Sequence, residues 1–140
     1  MTIPFRIEQI KTQQFAMFPD LLENGAQVSV EANFGFGMNK GATDIRCIAK
    51  LSYIQNESLL LTTEVHCIFG ITEEGSKQLL EEGRVEVGFL RYLATITTGT
   101  ARGIIHTKTE NTVLNPVVLP PLNLVEVIKE DFIFDSDVQQ

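Results

Sequence analysis

Apolar and polar side chains alternate along most of the first half of the chain. From Gln27 the pattern is clean: Val28, Val30, Ala32, Phe34, Phe36 and Met38 fall on one face, and Ser29, Glu31, Asn33, Gly35 and Gly37 on the other. That is the period of a half-buried strand. After a turn at Asn39-Lys40-Gly41, Ile45, Cys47, Ala49, Leu51 and Tyr53 repeat it. Gln55-Asn56-Glu57 turns the chain again into a strand with Leu59, Leu61, Val65, Cys67, Phe69 and Ile71 facing in and Leu60, Thr62, Glu64 and His66 facing out. From Phe5 to Phe18 the period is imperfect, because Phe5 and Ile7 share a face while Ile10 changes parity, which predicts a bulged or twisted strand. Consecutive strands on short loops predict an antiparallel sheet with one wet face.

The period then changes. Thr72 to Glu82 opens with an N-cap-like threonine followed by acids, which suit the positive end of a helix dipole and predict a short helix. Between Glu86 and His106 apolar side chains recur at spacings of three and four along two lines, one through Phe89, Leu93, Ile96, Thr100 and Ile104, the other through Leu90, Ala94, Thr97, Ala101 and Ile105. One long helix, apolar on more than one side, is predicted. Gly99 and Gly103 share a face of it, and each interior glycine costs about 1 kcal/mol relative to alanine. The expectation is close approach of another helix or of the sheet, between subunits or within one, with a kink at Gly99 as the alternative.

Residues 109–124, TENTVLNPVVLPPLNL, are extended by Pro116, Pro120 and Pro121 yet carry Val113, Leu114, Val117, Val118, Leu119 and Leu122. So apolar a loop is not an ordinary solvated one. Either it folds over the sheet as core or it lines a groove, where its prolines would reduce the entropy lost on docking a ligand chain. The acidic tail is expected to fray from about residue 135.

Length and charge narrow the classes. The 140 residues suit a single domain, residues 1–140. Eleven Lys+Arg against 18 Asp+Glu give a formal charge of −7, which makes nucleic acid an unsuitable partner. The N-terminus lacks the features of a secretory signal, and the apolar runs fall far short of the roughly 20 residues of a membrane span. A soluble, cytoplasmic protein with no membrane insertion is expected. Cys47 and Cys67 form no CxxC and are read as reduced core residues.

Catalytic constellations are not evident. His66 and Cys67 are adjacent on a strand and so point to opposite faces, which excludes a shared metal. His66 is read as a surface-strand residue and His106 as a cation favoured by a helix C-terminus. No GxSxG elbow is present. The paired acids Glu73-Glu74, Glu81-Glu82 and Glu130-Asp131 read as helix or tail surface. The stretch NFGFGMNKGAT has five residues between Gly35 and Gly41 and no Lys-Ser/Thr after the latter, so it is no P-loop. Lys40 stands where a dinucleotide fingerprint needs glycine. No cofactor, no metal and no enzymatic activity are expected.

The order of strands and long helix, with Phe5-Arg6-Ile7, Glu64-Val65, Tyr92, Arg102-Gly103 and Pro121-Leu122-Asn123-Leu124, resembles the SecB family of protein-export chaperones from about Phe5 to Leu124. The resemblance implies an α+β fold, a four-stranded antiparallel sheet with one long helix and a short helix packed on one face. It implies a homotetramer, a dimer of dimers built through edge strands and the long helix, with Thr95, Gly99, Arg102 and Gly103 at the oligomer interface. It also implies an ATP-independent holdase that keeps unfolded precursor polypeptides in apolar grooves for protein export and translocation. The family's acids for docking the motor ATPase fall on Gln14 and Phe18 here; Glu64 alone keeps one. The family's second helix is replaced by a segment with strand-like Val125, Val127 and Phe132 to Phe134. Phe34, Phe36, Met38, Leu114, Val118 and Leu119 are the candidates for client contact. The first three could instead meet this subunit's helix or a neighbouring subunit. The alternatives are a dedicated interaction module or a SecB-like chaperone for a single partner, such as a toxin–antitoxin or mobile-element product, and a small-molecule binder using the same cavity.

Overall fold

The computed structural model describes residues 3–134; the tail from 135 lies outside them. Four long strands, β1 (Phe5–Met17), β2 (Ser29–Met38), β3 (Asp44–Gln55) and β4 (Ser58–Ile71), precede α1 (Glu73–Glu82), a two-residue β5 (Arg84–Val85) and α2 (Val87–Lys108). A one-turn α3 (Leu124–Val127) and β6 (Phe132–Ile133) close the described chain. The fold is α+β, with an antiparallel sheet of order β1-β4-β3-β2 and a two-stranded ribbon of β5 and β6.

β2, β3 and β4 pair as consecutive hairpins, but β1 lies beside β4. The crossing loop is held by one buried side chain. Gln55, at the end of β3, accepts from the Glu23 N–H (2.8 Å) and donates to the Glu23 and Ala26 carbonyls (both 2.9 Å). Its amide thus matches three main-chain groups of the loop, and its own buried polar atoms are satisfied in return.

The broken parity of β1 has a structural cause. Its register against β4 slips between Ile7 and Gln9 and again between Thr12 and Gln14. Each slip is a bulge that restores Ile7, Ile10 and Phe15 to the face of Phe69, Cys67 and Thr63. A third irregularity corrects an expectation. Tyr53 opposes Leu61 and Ile54 opposes Leu59, so Leu60 is the extra residue. It turns inward and is buried, whereas Leu59 is exposed.

α2 lies on the inner face over β3 and β4. Its long axis divides the core in two: Cys47, Cys67, Phe69, Phe89, Leu90 and Leu93 pack at one end, and Leu51, Tyr53, Leu61, Ala101, Ile105 and Leu114 at the other. The threonines fit this helix because each satisfies its own hydroxyl. Thr95, Thr97, Thr98 and Thr100 donate to the carbonyls of Arg91, Leu93, Ala94 and Ile96 at 2.7–3.0 Å. α1 has the expected cap, with Thr72 Oγ1 accepting from the Gly75 N–H at 3.2 Å, and Gly83 ends it in the left-handed region at φ 69°.

Candidate peptide-binding surfaces

The apolar loop becomes a strap along α2. At the C-terminus of the helix the Thr109 hydroxyl donates to the Ile105 carbonyl (2.8 Å) and the Asn115 amide to the His106 carbonyl (3.0 Å). These bonds satisfy last-turn carbonyls and reverse the chain. The strap then runs antiparallel to the helix. Arg102 Nε donates to the Leu119 carbonyl at 2.7 Å and its Nη2 to the Pro120 carbonyl at 3.0 Å. Further back along the helix Arg91 Nε donates to the Ile128 carbonyl at 2.9 Å. Finally Asp131 caps α2 in place of Glu86, which makes no capping bond. Its Oδ1 accepts from the Val87 N–H (2.8 Å) and its Oδ2 from Arg84 Nη1 (3.0 Å).

Two cavities follow one another along this segment. One, of about 530 Å³, lies among Thr95, Thr98, Arg102, Val118, Leu122 and Leu124. The other, of about 560 Å³, is lined by Phe34, Phe36, Leu90, Val127 and Ile128 with the polar run Lys129–Asp131. Val118, Val125 and Val127 remain exposed on the strap.

A second apolar surface lies on the opposite flank of α2, where the helix does not cover β1. Ile7 and Ile10 on the inner face of β1 are 46% and 49% exposed. Phe5 closes one end of this strip, edge-on to Phe69, Phe89 and Tyr92 at 5.5–5.7 Å. Lys108 lies 5.4 Å over the Phe15 ring at the other.

The candidate client residues differ in burial. Phe34, Phe36 and Met38 face the core side and are partly buried against it. Val118 is 61% exposed, but Leu114 and Leu119 are 0% and 1% exposed. Bent back by the Thr109–Asn115 turn, the strap uses Leu114 as core, which corrects its reading as a groove residue, whereas Leu119 is packed in the same cluster and also lines the strap cavity. The interface candidates separate too. Gly99 and Gly103 are exposed, and a Cβ at either would meet none of the described residues within 4 Å. Helix α2 runs unbroken through both. Within the subunit the sheet therefore does not approach them, and the sheet-facing small residues are Ala94, Thr97 and Ala101. Thr95 borders the strap cavity, and Arg102 spends its guanidinium on the strap carbonyls. Gln55, Arg91 and Asp131 were missed by sequence reading. Their partners are main-chain groups distant in sequence, which leave no periodic trace.

The outer sheet face mixes half-buried Ile48, Ile54 and Ile68 with polar side chains, several of which pair with one another. His66 is there, as its parity requires, but is only 6% exposed, which corrects its reading as a surface residue. Arg46 Nη1 lies 3.4 Å from His66 Nδ1, and Glu64 Oε2 lies 2.6 Å from Nε2. An arginine can only donate, so Nδ1 accepts and Nε2 carries the proton toward Glu64. That bond, then Lys50 3.7 Å from the other oxygen, holds the Glu64 carboxyl below its usual range. At the end of the same face Glu8 and Asp44 share a hydrogen bond across Gly70, which lowers Glu8 and raises Asp44. Cys47 and Cys67 sit opposite each other on β3 and β4, buried and unbridged. Burial pushes the Cys47 thiol up to about 12, against a hydrogen bond with Thr97 that lowers it. A thiol so disfavoured as thiolate is a poor nucleophile. Among the described residues no three His, Cys, Asp or Glu side chains converge as a metal site would need, and no helix is long and apolar enough to cross a membrane.

No family model and no curated protein sequence matches this chain. Among solved structures it is similar to the SecB-like chaperone Rv1957 of Mycobacterium tuberculosis, determined in complex with a ChAD peptide from the Rv1956 HigA1 antitoxin. The identity is 16%, the match covers 84% of this chain and 90% of that one, and the TM-score is 0.46.

Proposed function

We infer that this protein is an ATP-independent holdase that binds extended apolar segments of unfolded polypeptides. The observation that carries the reading is the succession of two cavities along the strap, with valines exposed between and beside them. An extended chain places a side chain every 3.2–3.4 Å and so samples several such sites at once. Polypeptide binding of this kind requires no chemistry, only apolar area and release. The acidic balance of −7 would keep such a surface soluble in the cytoplasm.

Assembly completes the reading. Among the described residues β1 is an edge strand paired on one side only, with Ile7 and Ile10 exposed beside it, and the flank of α2 carries Gly99 and Gly103. A second copy pairing along that edge would cover the strip, and helix packing through the glycines would make a dimer of dimers. Purified protein should suppress aggregation of a denatured substrate at one oligomer per chain. A folded protein that leaves aggregation unchanged at that ratio removes the proposal.

A narrower reading, one dedicated partner and no coupling to an export motor, is favoured by a specific feature. Glu64, the remaining acid of the family's docking set, is already bonded to His66 and Lys50. Recovery of a single stoichiometric partner, with no binding to denatured test proteins, would select that reading over the general one. Binding of the motor ATPase that Glu64→Gln weakens would reject it.

A further inference from the structure

Among the described residues one buried side-chain polar atom is left unmatched, and it lies in the apolar cluster that the strap helps to build. Tyr53 is fully buried, and its phenol oxygen makes no hydrogen bond to any described residue. Hydroxyls in a dry core are nearly always paired, so a single exception marks a local conflict. Burial pushes the phenol pKa up, and the charge of Arg102 acts against that shift; Ala101, the residue before Arg102 on α2, belongs to the same apolar cluster as Tyr53. Tyr53 packs in one apolar cluster with Leu114 and Leu119.

The stretch 117–123 is weakly held at its centre. Pro120 and Pro121 have no N–H, and the N–H groups of Val118, Leu119 and Leu122 bond to no described residue. The polar attachment of 118–122 is Arg102, on the Leu119 and Pro120 carbonyls. Its ends are better fixed, by Asn115 on the His106 carbonyl and by Arg91 on the Ile128 carbonyl. The cavity of about 530 Å³ borders this same stretch.

We propose that residues 117–123 are a displaceable strap that stands in for a client, with Leu119 filling the apolar site over Tyr53 and Arg102 as its latch. When Arg102 lets go, the strap swings out about its fixed ends. An apolar side chain of an extended polypeptide takes the place of Leu119, and a main-chain carbonyl of that polypeptide accepts the Tyr53 hydroxyl. The prolines keep the released strap extended, so little chain entropy changes on opening. This regulation rests on the holdase reading and adds to it that the empty protein covers its own site.

The test uses the full chain and a reduced, carboxymethylated lactalbumin as a permanently unfolded probe. Apparent affinity scales with the fraction of open molecules, so Arg102→Gln should bind about threefold or more tighter although its melting temperature falls. Tyr53→Phe, which removes the unmatched hydroxyl, should bind about threefold weaker although its melting temperature rises. A residue that merely supports the fold would move stability and affinity together. Amide exchange at Leu119 and Leu122 should accelerate in Arg102→Gln while Leu114 stays protected. Wild-type binding with both variants unchanged in affinity overturns the strap and leaves the holdase standing. No probe binding by wild type or either variant overturns both. Tyr53→Phe keeps the core volume and carries the test should Arg102→Gln fail to fold.

Discussion

The returning chain meets α2 at two places, and they are built differently. Near the helix N-terminus it is fixed several times over: β6 pairs with β5, Asp131 caps the helix and bridges to Arg84, Arg91 grips the Ile128 carbonyl, and Ile128 and Phe134 are buried. Over the C-terminal half, beyond the turn that Asn115 fixes, residues 118–122 are held by a single guanidinium and by Leu119, in a cluster with a hydroxyl that has no partner among the described residues. The same device, an arginine on α2 donating to strap carbonyls, is redundant at one end and alone at the other. Redundancy makes a structural clamp, and its lack makes a part that can open at low cost.

The largest effect that would separate the two ends is a pair of core truncations. Leu93 is sealed between helix and sheet, so Leu93→Ala should lose about 2–5 kcal/mol in denaturant unfolding, the range for cavities that cannot collapse. Leu119→Ala should stay near or below about 2 kcal/mol, because a strap held at one point can settle into the space. Equal losses would make the strap as integral as the helix.

Next in size is the cap. Asp131→Ala leaves the Val87 N–H without its acceptor and should cost about 1–2 kcal/mol. Arg84→Ala removes an ion pair whose arginine is half exposed and should cost less than about 1 kcal/mol. A loss at Arg84 as large as that at Asp131 would assign the clamp to the salt bridge instead.

The sequence revealed these two ends unequally. Strand faces were legible because a period of two survives any register, and both helices announced themselves by spacing and by Thr72. Even the irregularity of β1 was visible, as the parity change at Ile10. Leu60 was misplaced because a bulge in β4 adds one residue and inverts the faces beyond it, and no side chain there advertises the slip. The strap was seen as anomalous, too apolar for a loop, yet whether Leu114 and Leu119 would be core or groove depended on Arg102 reaching carbonyls. Main-chain acceptors carry no sequence signature, so Arg102 is read from the sequence as an interface residue, Gln55 as part of a turn and Asp131 as helix or tail surface, and Arg91 gives no signal at all.

A smaller effect probes the helix flank away from the strap. Gly99→Ala should stabilise the dilute protein by about 1 kcal/mol, since none of the described residues opposes the added methyl. Where a second helix packs on the glycines the same methyl should lower the oligomeric mass. Stabilisation with unchanged mass would place the interface elsewhere.

The finest comparison uses a thiol already present. Cys47 lies under the middle of α2, with its acidity suppressed to about 12 against an ordinary 9.0. Because the folded-state value is the higher one, the protonated thiol contributes stability that is intact at neutral pH and is lost as pH rises from 9.0 toward about 12. Labelling by a thiol reagent near neutral pH therefore requires the helix to lift from the sheet. Loosening the clamp with Asp131→Ala should speed labelling, since it frees the end from which α2 can peel. Arg102→Gln should leave the rate within about twofold of wild type, because the strap opens outward and the helix stays seated. Acceleration by Arg102→Gln equal to that by Asp131→Ala would mean that the two ends form one cooperative unit, and the distinction between clamp and latch would fall with it.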